Sequence, residues 1–559
     1  MMVPLRYLWT QKIKIEILNI VLYLEKLFAM KKLFAINKNF LLLVSLSSCF
    51  ALFSQKYTIN STEFPEKLTE NANSIIINQN TTIEIKSIND MVITKSFTIC
   101  VLNELGLKNI DAVEYYDKST RINSIEAFQF DQYGKEIKKY KRKDFRDQSV
   151  ADGFSIYTDN RVLYLNFTPI QYPFTIIFNS QVETSNTAFI PTWYPINDWN
   201  ESVVKSSINI QYPEDLGFKF KAILNDNPSI ESNKTSNSIS FVATNLTSLK
   251  PEDFSPSLTQ IAPRVLFGLN NFNIEGIVGQ ANTWEDFGIW RYKTFLSDNE
   301  EVSVETQEKI KALVGFETDP IKKAKIVYQY VQDKTRYVSI QLGIGGWKPM
   351  PAIDVDRLGY GDCKALTNYT RVLLNVVNVP SFYTVIYGDS KKINFQEDFV
   401  SMQGNHIILS LPINDKLCFL ECTSQTVPFG FGGNFTDDRY ALIVKPTGGE
   451  IIKTNAYVEK DNSQITSGQY TIDEKGSIKG QLTIESKGVR YSNKFGLEKS
   501  ATDATINFYK SCFDNISNLK IENTAFENNR ESVQFLEKIK KTKMITFFFM
   551  ALFFYNYNF

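Results

Sequence analysis

The stretch GYGDCKALTNYTRVLLNVVNVP, Gly359 to Pro380, decides how this chain is read. Gly359 and Gly361 allow a tight loop, and Asp362 is suited to cap the N-terminus of a helix. Cys363 then opens that helix. Leu366, Tyr369, Leu373, Leu374 and Val377 recur at helical spacing and predict one apolar face, and Asn378 and Pro380 stop the run. A thiol at a helix N-terminus feels the positive end of the helix dipole, which favours the reactive thiolate. A cysteine opening a helix is nonetheless more often structural than catalytic, so partners have to be found.

Working outward, the chain has a single histidine, His406, in GNHIILSL. It lies on the first arm of a predicted hairpin, NHIILSLP-IND-KLCFLECT, whose second arm carries Glu421. If Asn414 and Asp415 form the turn, His406 faces Thr423 and Glu421 is its diagonal neighbour on the same face. A turn one residue earlier sets His406 and Glu421 directly opposite. Either register brings the two side chains within reach. A carboxylate there accepts the imidazole N–H, fixes the tautomer and stabilises the imidazolium, leaving the other ring nitrogen for Cys363.

One histidine also excludes chemistry. No HExxH motif, histidine-rich zinc site or multi-histidine iron site can be built, and the six cysteines include no CxxC pair, so neither a metal nor another cofactor is expected. Cys418 and Cys422 stand four apart on one predicted strand, about 13 Å between Cα atoms and too far for a mutual disulfide. Cys100 and Cys512 have a possible pairing only across domains. Gly343, Gly345 and Gly346 precede no GK[ST] helix and read as loop glycines, not a phosphate cradle. Net charge is zero and no basic stripe stands out, which gives a nucleic-acid partner no support.

At these residues the sequence resembles a known family. GYGDCKALTNYTRVLL, GNHIILSL and LCFLECTSQ are similar to the three motifs of the transglutaminase-like superfamily. Pro320 to Phe429 is the strongest part of a resemblance that runs from about Tyr57 to Glu537. It is narrower still to a bacterial envelope subgroup with an uncharacterised β-rich domain ahead of the core and another β domain after it. The resemblance implies a papain-related α+β core and acyl-transfer chemistry, with Cys363 as nucleophile and His406 as base. Glu421 takes the position where the wider superfamily usually has aspartate. Ala365 departs from the subgroup, in which an acidic residue often follows the lysine matching Lys364. Trp347, Gln341, Tyr360 and Asp362 are expected to shape the amide slot or supply an oxyanion donor. The implied activity is cleavage or transfer of amide bonds in peptides or proteins, hydrolysis ahead of cross-linking. The competing reading is a non-catalytic envelope protein using the same fold as a peptide-binding or assembly module.

The 559 residues, 43% hydrophobic and 22% charged, suit a folded protein of several domains, and 13% aromatic content suits β-rich ones. The expected fold class is multidomain α+β. Residues 55–265 read as a β-rich N-terminal domain, 280–445 as the core and 446–540 as a β-rich C-terminal domain, expected to be truncated. The lysine-rich KEIKKYKRKDF, Lys135 to Phe145, reads as a solvated face. Residues 1–54 read as a mis-assigned start followed by an export signal from Met30, where Lys31 and Lys32 precede an apolar run that begins at Phe40. LSSC, Leu46 to Cys49, offers a lipid-anchor alternative, and an uncleaved anchor is a third reading. Export to the periplasm or outer membrane is therefore expected, with membrane contact only through the leader or a lipid. Residues 541–559, ending in MITFFFMALFFYNYNF, read as an out-of-frame or apolar tail.

Overall fold

Alternating apolar and polar residues from Ser74 onward build the first large element of the computed structural model. The model describes residues 64–543 except 151–154, 170, 225–228, 475–476, 493, 515 and 517. The expected leader and residues 544–559 of the expected tail lie outside the described residues. Strands β1 (Ser74–Ser87), β2 (Asp90–Val101), β3 (Thr120–Phe130), β4 (Glu136–Lys141), β5 (Phe174–Thr184), β6 (Glu201–Gln211), β7 (Ile230–Lys234) and β8 (Ser238–Leu246) form one eight-stranded sheet in the order β7-β8-β6-β1-β2-β5-β3-β4. Most neighbours are antiparallel, but β1 runs parallel to β6, with Ser74 opposite Glu201. The lysine-rich stretch supplies β4, an edge strand exposed except at Tyr140, where its charges discourage edge-to-edge pairing.

From Trp284 onward, a run of helices leads to the cysteine helix. Helix α1 (Trp284–Arg291) opens on a capping box, in which the Thr283 hydroxyl accepts from the Asp286 N–H and Asp286 accepts from the Thr283 N–H. It continues into a π turn, Tyr292–Leu296. Helix α2 (Val304–Val314) starts at its own cap, Ser303, whose hydroxyl accepts from the Thr306 N–H. Helix α3 (Pro320–Lys334) has Asp319 as cap and proline in its first turn. Two short strands follow, Arg336–Tyr337 and Ser339–Gln341. Helix α4 (Ala352–Leu358) ends at Gly359, whose φ of 71° is the left-handed conformation that glycine adopts freely.

Helix α5 (Cys363–Val376) lies at the centre, and its residues from Cys363 to Thr370 are all buried. It packs on a five-stranded antiparallel sheet made of β9 (Phe382–Ile386), β10 (His406–Ile413), β11 (Lys416–Leu420), β12 (Tyr440–Lys445) and β13 (Gly448–Lys453), in the order β11-β10-β9-β12-β13. A four-stranded sheet follows, with β14 (Ser463–Ile472), β15 (Ile478–Lys487), β16 (Lys520–Asn529) and β17 (Gln534–Lys543) in the order β14-β15-β17-β16. The chain is thus multidomain and β-rich. The hydrophobic core is nevertheless continuous across the segment 265–280. One buried cluster joins Ile176, Phe178 and Val265 to Phe287, Cys363, Tyr383, Val385 and Ile407. No disulfide forms among the described cysteines.

Candidate active site

Asp362 starts the site by starting the helix. One of its carboxylate oxygens accepts from the Ala365 N–H at 2.9 Å, which fixes Cys363 as the first helical residue. Buried polar side chains hold the rest of α5 in place. Thr367 donates to the Ile407 carbonyl, Asn368 to the Asn299 carbonyl at 2.8 Å, and the Tyr369 hydroxyl to Asp356 at 2.6 Å. Cys363 is 9% exposed.

The hairpin adopts the first of the two registers considered above. Asn414 and Asp415 both have positive φ, 49° and 62°, as a two-residue turn between right-twisted strands demands, and Leu409 pairs with Leu420. The pairing stops there, so Glu421, Cys422 and Thr423 lie past the end of β11 and not within the strand the sequence predicted. Residues of α3 hold this extension. The Tyr328 hydroxyl donates to the Glu421 carbonyl at 2.7 Å, and the Gln332 amide donates to the carbonyls of Ser424 and Val427 at 2.8 and 2.9 Å. Tyr328 and Gln332 sit one helical turn apart on the buried face of α3, the only signal in the sequence that could have revealed them.

His406 opens β10, its backbone paired with Ile386. The Asn405 side chain accepts from the Gly388 N–H at 2.7 Å and secures that end of the sheet, while Phe435 lies edge-on to the imidazole at 5.1 Å between ring centres. Imidazole Nε2 and Glu421 Oε2 are 2.7 Å apart, with side chains 11% and 10% exposed. The other Glu421 oxygen accepts from the Thr423 hydroxyl and N–H, at 2.5 and 3.0 Å. With Nε2 engaged by Glu421, Nδ1 is the ring nitrogen left for the Cys363 side chain, which helps raise the imidazole.

Electrostatics follow from these partners. Burial works against a charged imidazole, but the Glu421 carboxylate and the hydrogen bonds to Cys363 and Glu421 overcome it and push His406 up to about 10. Burial likewise works against the Glu421 carboxylate, and the facing His406 and the Thr423 donors hold it below the usual carboxylate range. The pair is therefore an imidazolium and a carboxylate at neutral pH.

The remaining sequence candidates have the following partners. Gln341 donates to Asp362 at 3.1 Å and to Ser339 at 2.9 Å, and accepts from Lys364 at 3.2 Å. Lys364 and Asp362 form a buried ion pair, each side chain 7% exposed. Gln341, Asp362 and Lys364 are thus one structural knot under the start of α5. Tyr360 pairs through its backbone with Arg336. Trp347 lays its ring on Phe189, 4.9 Å between centres. The sequence reading missed the Tyr383 hydroxyl, buried without a hydrogen-bond partner, which feels the charges of Arg291 and Cys363.

Residues 89–250 match a family model described as a domain of unknown function with solved structure, DUF3857. No curated protein matches the chain. Among solved structures, a putative protease from Parabacteroides distasonis is similar with 10% identity and a TM-score of 0.49, over 85% of this chain and 94% of that one. An M1 zinc metallopeptidase from Deinococcus radiodurans is similar with 6% identity and a TM-score of 0.17, over 44% of this chain and 53% of that one. Neither likeness bears on the chemistry.

The DUF3857 region covers most of the eight-stranded sheet and reaches the loop ahead of α5. Phe189 carries Trp347, Asp159 accepts from the Gly343 N–H at 3.0 Å, and Ser155–Thr158 pairs with Ser339–Gln341.

Proposed function

We propose that this chain is a thiol-dependent enzyme that cleaves or transfers amide bonds of peptides or proteins in the cell envelope. It would use a Cys363-His406-Glu421 triad on a transglutaminase-like, papain-related core, and act after export to the periplasm or the outer membrane. One observation carries the reading: the only histidine of the chain bridges a cysteine at a helix N-terminus and a buried carboxylate, with 2.7 Å between Nε2 and Oε2.

In the proposed reaction, His406 holds the proton of Cys363 and the thiolate attacks the amide carbonyl. The C–N bond breaks as His406 passes that proton to the departing amine, leaving a thioester on Cys363. Water then gives a proton to His406 and attacks the thioester, which releases a carboxylic acid and restores the thiol. Glu421 keeps the imidazole oriented and offsets its charge throughout. Asp362 takes the Ala365 N–H but leaves the N–H of Cys363, at the positive end of α5, for the developing oxyanion.

The test is alkylation followed by substrate search. Cys363 should react with iodoacetamide at pH 6–7 faster than N-acetylcysteine does, and His406→Ala should abolish the difference. Incubation with envelope peptides should give cleaved or transferred products by mass spectrometry with wild type and none with Cys363→Ala. Alkylation no faster than that of the free thiol removes the enzyme reading. The burial of Cys363, 9% exposed, favours a second reading as a non-catalytic peptide-binding module. That reading requires peptides to be retained intact by both proteins.

A further inference from the structure

A cavity of about 680 Å³ lies between the N-terminal β layer and the loop that leads into His406. Its size falls in the range of about 300–1,000 Å³ typical of ligand sites. Arg264 is the only ionised residue on its wall. The guanidinium makes only long contacts, from Nη1 to the carbonyls of Gln260 and Ala262 at 3.4 and 3.5 Å, and no carboxylate of the described residues pairs with it. A half-buried arginine whose planar fork is unspent is a receptor for an anion, best of all for a carboxylate that accepts two parallel N–H bonds. Tyr194 shares the wall and lies in the field of the guanidinium, and burial pushes its phenol up.

Phe189, Phe267, Phe399 and Met402 give the wall apolar surface, alongside uncharged polar residues such as Gln260, Asn394 and Ser401. This surface is pinned in advance of any ligand. Lys221, from the antiparallel pair Phe218–Ile223 and Arg264–Leu269, bonds the Gln396 side chain at 3.1 Å and pairs with Asp398. The Trp284 indole donates to the Glu397 carbonyl at 2.6 Å. Gln403, itself buried, accepts from the Gln396 N–H and donates to the Phe399 carbonyl, both at 2.8 Å. None of Cys363, His406 and Glu421 lines the cavity, but the chain connects it to them: wall residue Tyr387 follows Ile386, the backbone partner of His406.

We propose that this cavity binds the C-terminal end of a peptide, the terminal carboxylate on Arg264 and a large apolar side chain among Phe189, Phe267, Phe399 and Met402. A free carboxylate matches the single unpaired cation, and an adjoining apolar residue matches the ring-lined wall. The proposal rests on the peptide-directed reading above and names its substrate class: peptides with a free C-terminus. It gives the β layer a task, since Arg264 and Phe267 come from it while Phe399 and Met402 come from the loop ahead of His406.

The experiment uses the full chain carrying Cys363→Ala, so that binding is measured without turnover. N-acetyl-Ala-Ala-Phe is titrated calorimetrically as the free acid and as the C-terminal amide. The acid should bind at least about 10-fold more tightly, the scale of one charge-assisted hydrogen bond. Arg264→Gln should reduce acid affinity to that of the amide while leaving the amide unchanged, which shows the cavity intact, and Arg264→Lys should keep part of the preference. Equal binding of acid and amide, no binding of either, or a preference that survives Arg264→Gln overturns the proposal. If the acid binds through Arg264 but wild type never processes an amide, the enzyme reading fails and the binding site stands.

Discussion

Glu421→Gln is the sharpest probe of the candidate triad, because it removes one charge and keeps the shape. Glu421 is the leading influence raising His406 against its burial, and the rise from 6.5 to about 10 corresponds to about 5 kcal/mol of preference for the imidazolium. Without the carboxylate, burial dominates and the imidazole should be neutral at pH 8. The cost in stability should approach about 3–5 kcal/mol, the magnitude typical of breaking a buried pair. The sign of the pH dependence follows from the two shifts. A raised histidine contributes stability that is fully present below about 6.5 and lost as pH climbs through 10. The depressed Glu421 contributes stability present above 4.5 and lost as pH falls through its folded value. The gap between wild type and variant should therefore be widest between 4.5 and 6.5 and shrink steadily toward 10. Because the chain has one histidine, untagged protein gives one set of imidazole resonances, and an NMR titration reads His406 directly. Urea midpoints across the same pH series give the stability gap. An imidazole in wild type that titrates near 6.5, or a gap independent of pH from 6.5 to 10, refutes the charge assignment.

Two further substitutions test the surroundings. Asp362→Asn breaks a buried ion pair with Lys364 and weakens the cap of α5, and should cost about 3–5 kcal/mol by chemical denaturation; Asp362→Asn combined with Lys364→Met should recover part of that loss. A cost under about 1 kcal/mol would show the pair to be solvated in practice. Tyr383→Phe removes a buried hydroxyl that has no partner, and should leave stability unchanged or raise it by about 1 kcal/mol; a clear loss would reveal a hydrogen bond that the static structure does not contain.

The parts of this fold legible in the sequence are those encoded by neighbours in the chain. Asp362 as cap, Cys363 as first helical residue and Asn414–Asp415 as turn follow from local backbone preference, and the turn alone sets the register that leaves Glu421 near His406. What was not legible depends on residues far apart. The parallel pairing of β1 with β6 joins Ser74 to Glu201, and no local pattern specifies which distant strand a sheet edge accepts. The end of β11 is set by Tyr328 and Gln332 of α3, which take the carbonyls of the following segment away from the ladder. Nor does any local pattern foretell that the Gln341 side chain bonds both members of the buried Asp362–Lys364 pair.

The same dependence on distant residues changes what the β-rich layer is for. A separate accessory domain would bury its own core and meet the region around Cys363 through a modest, polar interface. Here Cys363, Tyr383, Val385 and Ile407 share one buried cluster with Ile176, Phe178 and Val265. Truncating Phe178 or Val265 would therefore loosen packing that continues to the thiol. The layer also contributes Arg264 and Phe267 to a cavity whose other wall leads into His406. A core of this kind cannot be excised at residue 280 without exposing the apolar side of β9 and β10, so the site and the sheet beside it form one structural unit.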